Sequence, residues 1–467
     1  MNFKSTKWQV VTLEDIAQKD GHGFVDGPFG SNLPASEYVP FGIPVIRGTN
    51  LSLGTTRFKD DEFVFVSEET AKRLERSLCE PGDIIFTKKG TLGQTAIIPF
   101  NHKYQKFLLS SNQMKLTVDI QKAEPLFVYY YVSSFTSRSK IIQDSEATGV
   151  PKTNLTYLRK FPIVLPPLPE QKAIAHILGT LDDKIELNQQ MNQTLEAMAR
   201  AIFKSWFVDF DPVRAKMEGK QLVGMDEATA ALFPDSFEES DLGLIPKGWR
   251  VSTLDEVTEF VLGGDWGKDL ASEQYNQPAY CIRGADIPDL QNAGLGKMPI
   301  RYLKASSLKK RSLQAGNIVI EISGGSPTQS TGRPVLITLN LLDRLSYPLV
   351  CSNFCRLIFL KEDISPNFIY LWLRWLYASD SFLQYENGTT GIKNLAYKIF
   401  SEKYELVLPQ QYVLKVFEKT TQPLFKKRDA NGLQSEILAT IRDTLLPKLM
   451  SGQIRVKEAE KMIEEVL

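Results

Sequence analysis

At 467 residues, with 43% hydrophobic and 24% charged residues, the chain has the composition of a globular protein with room for two to four domains. It holds no apolar run near the roughly 20 residues of a membrane span, and its opening segment Met1-Asn2-Phe3-Lys4-Ser5-Thr6-Lys7-Trp8 lacks the apolar stretch of a signal peptide, so a cytoplasmic location without membrane contact is expected. Lys and Arg balance Asp and Glu, 55 against 55, which excludes nucleic-acid affinity from a general cationic excess and leaves only clustered cations or partner subunits as its source.

Residues 1–165 read as a first α+β head. Short apolar runs such as Ile84-Ile85-Phe86 and Ala96-Ile97-Ile98, set off by Gly, Pro and Asp, predict strands joined by turns, and the stretch near 125–143 predicts a helix. Residues 166–207 follow as a long helix. In it Ile174, Leu178, Leu181, Ile185, Asn188, Asn192, Leu195, Ala199, Ile202 and Trp206 recur in alternating steps of four and three, which is the seam of a coiled coil. At about 1.5 Å per residue such a helix is on the order of 50 Å long. Residues 208–245 lose this period, become polar and predict a connector.

Residues 246–409 repeat the first head. Trp8-Gln9-Val10-Val11-Thr12-Leu13 returns as Trp249-Arg250-Val251-Ser252-Thr253-Leu254, and Val45-Ile46-Arg47-Gly48 as Cys281-Ile282-Arg283-Gly284. Pro81-Gly82-Asp83-Ile84-Ile85 matches Ala315-Gly316-Asn317-Ile318-Val319, Ser111-Asn112 matches Ser352-Asn353, and Val164-Leu165-Pro166 matches Val407-Leu408-Pro409. Collinear matches over this length indicate an internal duplication.

Residues 410–452 form the second long helix, in which Phe417, Leu424, Asn431, Leu438 and Leu445 answer Ile174, Leu181, Asn188, Leu195 and Ile202. Pro423 and Gly432 predict a kink or short break near 423–432. Residues 453–467 read as a charged tail. A buried Asn weakens an apolar seam but fixes its register. The expectation is therefore that Asn188 and Asn431 lie near the middle of one antiparallel two-helix spine; the alternative is that each helix completes the core of its own head.

The four cysteines, Cys79, Cys281, Cys351 and Cys355, form no zinc-type spacing and read as packing residues, so no metal is expected. With only His22, His102 and His176, and no nucleotide-binding, zinc-protease or nucleophile-elbow motif, no catalytic residue is assigned. Pro81-Gly82-Asp83 ahead of Lys88 and Lys89 suits either a metal nuclease or a turn; the change of Asp83 to Asn317 in the second repeat favours the turn.

Phe161-Pro162-Ile163-Val164-Leu165-Pro166-Pro167-Leu168-Pro169-Glu170-Gln171 resembles the start of the spacer helix in specificity subunits of type I restriction-modification systems. Ala201-Ile202-Phe203-Lys204-Ser205-Trp206-Phe207-Val208-Asp209-Phe210-Asp211-Pro212, Gly243-Leu244-Ile245-Pro246-Lys247-Gly248-Trp249 and Leu445-Leu446-Pro447-Lys448-Leu449-Met450-Ser451-Gly452 resemble that family's central, second-domain and closing segments, in the family's order.

The resemblance implies two target-recognition domains separated by two long antiparallel coiled-coil helices. Each domain would read one half of a split, asymmetric double-stranded DNA target, while the helices set the gap and dock two modification subunits. The chain would be non-catalytic and bind no cofactor: S-adenosylmethionine would belong to the modification subunits, and ATP and Mg²⁺ to restriction subunits reached through the complex. The rival readings are a stand-alone DNA-modifying or DNA-cleaving enzyme and a scaffold that binds only proteins.

For DNA contact the candidate loops are those joining cations or small donors to flexible turns. In the first head these are Arg47, Thr49 and Asn50; Lys88, Lys89 and Thr91; and Lys152, Thr153 and Asn154. In the second they are Arg283; Ser323, Thr328, Gln329 and Arg333; and Lys393 and Asn394, with Lys152 and Lys393 taken as shared phosphate contacts. The loop at 87–93 equally suits a plain solvated turn; Arg47 and Arg283 suit either base contact or a structural ion pair, with DNA contact slightly favoured. Lys309-Lys310-Arg311 and Lys426-Lys427-Arg428 are further cation clusters.

Overall fold

The computed structural model describes residues 8–19, 21–54, 56–146, 152–324, 329–388 and 392–465. They divide into two units, one comprising 1–185 and 437–467, the other 186–436.

In the first unit the strand Gln9–Thr12 pairs antiparallel with Pro162–Leu165 and so ties the two ends of the head together. A four-stranded antiparallel sheet follows the order Phe24–Asp26, Gln113–Leu116, Ile84–Thr87, Thr95–Ile97. A second sheet of five short strands contains one parallel pair, Ile43–Ile46 with Phe107–Leu109. Strands this short stop where the sequence forces a turn: Gly82 has φ +92°, a region that glycine enters at little cost. Its N–H donates to the Ile98 carbonyl at 2.8 Å.

The second unit repeats this plan. Arg250–Thr253 pairs with Glu405–Leu408, and the four-stranded sheet runs Thr258–Gly263, Cys355–Leu360, Ile318–Glu321, Pro334–Leu336. The parallel pair is Gln277–Ile282 with Leu349–Cys351. Gly316, at φ +90°, donates to the Ile337 carbonyl at 2.9 Å, the counterpart of the Gly82 bond. All four cysteines are buried with free thiols, Cys79 in the first head and the other three in the second.

Two 40-residue helices, Leu168–Phe207 and Gln411–Met450, run through both units. In the first unit Ile174, Leu178 and Leu181 share one core with Leu445 and Leu449 and with the head helix Pro125–Ser133. In the second, Phe203 and Phe207 pack with Phe417 and with Phe368 of the head helix Pro366–Ala378, the Phe207 ring lying 4.8 Å from Phe417 and 4.9 Å from Phe368. Each buried large apolar side chain contributes about 1.5–3 kcal/mol. The helix stretches are antiparallel in each unit, Asp182 facing Arg442 in the first and Asn192 facing Asn431 in the second. Each stretch therefore completes a head's core while pairing with the other helix, which joins the two alternatives read from sequence.

Of the expected kink or short break near 423–432, the break is absent: the second long helix is continuous from Gln411 to Met450. Pro423 lies on its exposed face, where the carbonyl deprived of its helical donor can bond to water. Gly432 is buried against a turn of the second head: a Cβ there would stand 2.2 Å from the Ala293 carbonyl oxygen. Its glycine serves close approach rather than a break.

Residues 453–467, read as a charged tail, contain the helix Val456–Glu464, whose Ala459 is fully buried. Just before it Arg455 pairs with Glu170 at 2.7 Å and lies over the Trp8 ring. The stretch 208–245 holds two short helices and the hairpin Phe237–Ser240 with Gly243–Pro246, and buries Val213, Met225 and Phe233 in the core of the second unit.

Candidate nucleic-acid interface

Backbone hydrogen bonds place the same loops together in each head. In the first head the Ser110 N–H donates to the Ile46 carbonyl at 3.0 Å, the Lys88 N–H to Asn112 at 2.7 Å, and the Thr153 N–H to Lys88 at 3.1 Å. In the second the Ser352 N–H donates to Ile282 at 2.9 Å, the Ile322 N–H to Phe354 at 2.8 Å, and the Leu395 N–H to Ile322 at 2.8 Å. Ser110 is thus the counterpart of Ser352, one residue away from the sequence pairing of Ser111-Asn112 with Ser352-Asn353. Likewise Lys152 occupies the place of Asn394, so Lys152 and Lys393 are not equivalent. Period matching fails by one residue here because the loops between strands differ in length.

Several candidates hold these loops in shape. The Arg47 N–H donates to Asn50 Oδ1 at 2.9 Å and its guanidinium to the Glu62 carbonyl at 2.7 Å. Asn50 is fully buried, and its Nδ2 donates to the Lys59 and Asp61 carbonyls. Arg283 repeats the arrangement with a charge. Its N–H and guanidinium all bond to Asp286, whose carboxyl pKa falls below its ordinary value because these bonds and the Lys297 N–H outweigh burial, the largest single influence on it. Arg283 thus makes an ion pair with Asp286, whereas the Arg47 guanidinium bonds to a neutral backbone carbonyl.

Arg333 makes a two-pronged bond to Glu321, both contacts 2.8 Å, with the carboxylate side chain 2% exposed. Hydrogen bonding to Glu321 raises the guanidinium pKa against the effect of burial. Thr153 is buried against Ser145 Oγ at 2.9 Å, and Asn154 caps the helix Leu155–Arg159 by accepting from the Tyr157 N–H. Lys88 is half-buried and pairs with Asp26 at 3.0 Å; Lys393 pairs with Glu386 at 3.1 Å. Lys393 and Asn394 lie in a strand paired with Gly324 and Ser323.

The remaining candidates face outward. Thr49, Lys89, Thr91 and Lys152 are exposed in the first head, as is Gln329 in the second, with Ser323 half-buried; Asn154 and Asn394 are exposed as well. Thr328 and the turns at 147–151 and 389–391 lie outside the described residues. In the second head the loops enclose a cleft of about 670 Å³ lined by Trp266, Arg283, Glu321, Gln329, Asn353 and Phe354 among others. Glu321 is packed against two glycines: a Cβ on Gly284 or Gly324 would stand 2.1 or 2.5 Å from its Oε1.

Sequence reasoning missed three contributors at this cleft. Asn353 and Phe354 are exposed at its rim, and Trp266 carries the Arg301 guanidinium 4.3 Å from its ring centre. Nearby, the ammonium groups of Lys304 and Lys268 lie 5.2 and 5.8 Å from the Tyr275 ring. Of the cation clusters, Lys309 and Lys310 are exposed, whereas Arg311 donates to the Gly263 carbonyl and Arg428 is buried between the long helices. Asp83 closes a turn by accepting from the Glu80 N–H, as Asn317 does from Gln314, and it pairs with buried Lys115. No group of three or more His, Cys, Asp or Glu able to hold a metal ion occurs among the described residues.

Each head thus carries its own set of loops, joined by matching backbone hydrogen bonds and bearing different side chains. Residues 5–197 match the type I restriction modification DNA specificity domain. The chain is 27% identical over 417 residues to the type I restriction enzyme HindI specificity subunit of Haemophilus influenzae, covering 79% of this chain and 87% of that one. It is 25% identical over 469 residues to the MjaIX specificity subunit of Methanocaldococcus jannaschii, covering 97% and 94%. Among solved structures, the S subunit of a type I restriction-modification system from M. genitalium aligns over 96% of this chain and 98% of that one, with a TM-score of 0.49 and 15% identity. Residues 5–197 thus match that family's domain, and the chain is similar over most of its length to type I restriction enzyme specificity subunits.

Proposed function

We propose that the chain is the DNA-reading, non-catalytic subunit of a type I restriction-modification complex, in which the heads at 1–165 and 246–409 each read one half of a split target. The observation that carries this reading is that one backbone frame presents different side chains in the two repeats. Lys88 stands where the second head has Ile322, and Asn112 where it has Phe354. Different surfaces on one frame are what two unlike half-sites require.

Thr49, Lys89, Thr91 and Lys152 contact DNA in the first head, and Ser323, Gln329, Asn353 and Phe354 in the second. Arg47, Asn50, Lys88, Thr153, Asn154, Arg283, Arg333, Lys393 and Asn394 shape the loops that carry them. The long helices set the gap between half-sites and dock two modification subunits, which supply methyl transfer with S-adenosylmethionine. Restriction subunits bring ATP and Mg²⁺ chemistry. Among the described residues no helix is long and apolar enough to cross a membrane, and the complex works on cytoplasmic DNA.

Exchanging residues 246–409 for the second head of a relative tests the reading by methylome sequencing of cells carrying the intact system. One half of the methylated sequence should change and the other persist. Turnover of DNA by the purified chain alone, with Mg²⁺ and a methyl donor, would contradict it.

A further inference from the structure

Two buried charged networks sit on the long helices, and neither takes part in the candidate interface. In the first unit Asp182 pairs with Arg442 at 2.7 Å and accepts from the Tyr130 hydroxyl of the head helix at 2.6 Å. In the second Glu196 lies 3.5 Å from Arg428 and accepts from the Tyr370 hydroxyl at 3.2 Å and from Arg374 at 3.1 Å. Each arginine also pairs with the aspartate that follows it, Asp443 or Asp429. The four principal charged side chains are all under 10% exposed.

We infer that these two acid–arginine pairs, more than the seam asparagines, fix the register of the long helices, and thereby determine the gap a target must have. The acids are two heptads apart, at 182 and 196, and so are the arginines, at 442 and 428. A seam of Leu, Ile and Phe alone tolerates a shift of one heptad, because apolar side chains meet apolar side chains again. The charged pairs do not. A one-heptad shift sets Asp182 against Ser435 or Leu449 and Glu196 against Thr421 or Ser435. A two-heptad shift restores at most one pair, leaving Glu196 against Leu414 or Asp182 against Val456.

A buried pair adds little net stability over an apolar replacement, but a buried charge without its partner is costly. The networks therefore discriminate between registers more than they hold the fold together. Their tyrosines carry this choice into each head, since Tyr130 and Tyr370 belong to the head helices. The effect on the gap rests on the proposed spacing role of the helices; the effect on register does not.

The test places Asn192→Cys with Asn431→Cys, the facing pair, or with Leu424→Cys or Leu438→Cys, one heptad away, in the full chain within its complex. Disulfide formation is compared between the parent and a variant with apolar keys: Asp182→Leu, Glu196→Leu, Arg428→Met, Arg442→Met, Tyr130→Phe and Tyr370→Phe. The parent should cross-link only in the facing pair, and the folded variant also one heptad away. Asp182→Asn with Glu196→Gln, close in shape to the parent, should raise methylation at sites of altered gap at least tenfold, and this decides the matter if the apolar variant does not fold. Facing-pair cross-links alone in a folded variant, or a single unchanged gap with no shifted cross-link in the Asn/Gln variant, would overturn the inference. Shifted cross-links with an unchanged gap would uphold it and remove the spacing role from the proposed function.

Discussion

Asn431 donates from Nδ2 to Oδ1 of Asn192 at 3.0 Å across the two long helices, while Asn192 donates in turn to the Asn292 carbonyl of the second head. Asn188, four residues before Asn192 in the seam as read from sequence, bonds instead to Gln434 and Ser435. The asparagines aligned by the repeat are thus not each other's partners.

Asn431→Leu alone should therefore cost about 1–3 kcal/mol by stranding the Asn192 amide. Adding Asn192→Leu should recover much of that loss. Urea unfolding of the single and double variants measures the coupling; additive losses would show that the pair does not interact as the geometry requires.

Gly432→Ala should destabilise the chain, although alanine is favoured over glycine in a helix by about 1 kcal/mol. The added methyl meets the Ala293 carbonyl at 2.2 Å, and Ala293 is itself held by the Arg344 guanidinium, which pairs with Glu436. A rise in thermal midpoint would contradict this account of the glycine.

Arg333→Ala should lose about 3–5 kcal/mol, because it leaves the Glu321 carboxylate buried and unpartnered. Gln329→Ala, at an exposed position in the same cleft, should stay within about 0.5 kcal/mol of the parent. Chemical denaturation separates the two, and equal losses would mean that the cleft is not divided into supporting and presenting side chains.

The Tyr370 phenol is pushed up to about 12 by burial and by the adjacent Glu196, from an ordinary value of 10.0. The folded chain thus holds this proton more tightly than the unfolded chain, so the contribution to stability is complete below pH 10 and falls as pH rises from 10 towards 12. Tyr370→Phe should flatten the fall in stability between pH 10 and 11, measured by urea unfolding at each pH. An unchanged slope would contradict the assignment.

Much of the architecture was legible in the sequence, because the four-and-three recurrence from Ile174 to Trp206 and the collinear repeats both follow from backbone periodicity. Asp182 and Glu196 were not, since a charge beside Leu181 or Leu195 normally reads as the wet flank of a coiled coil. Their one trace is that the two-heptad interval recurs between Arg428 and Arg442. At the interface the loops could be found but not the state of their side chains. Arg333 reads as a free cation until Glu321, twelve places earlier at the end of an apolar strand, is seen to face it. Pro423 and Gly432 misled for a related reason: propensity is local, whereas burial and the approach of Ala293 are not.

The most direct measurement is methylome sequencing of cells whose intact system carries Gln329→Ala and Asn353→Ala in the second head. Recognition should relax in one half of the methylated sequence, with the other half and the gap unchanged. Methylation altered in both halves, or in neither while the chain remains folded and assembled, would contradict it.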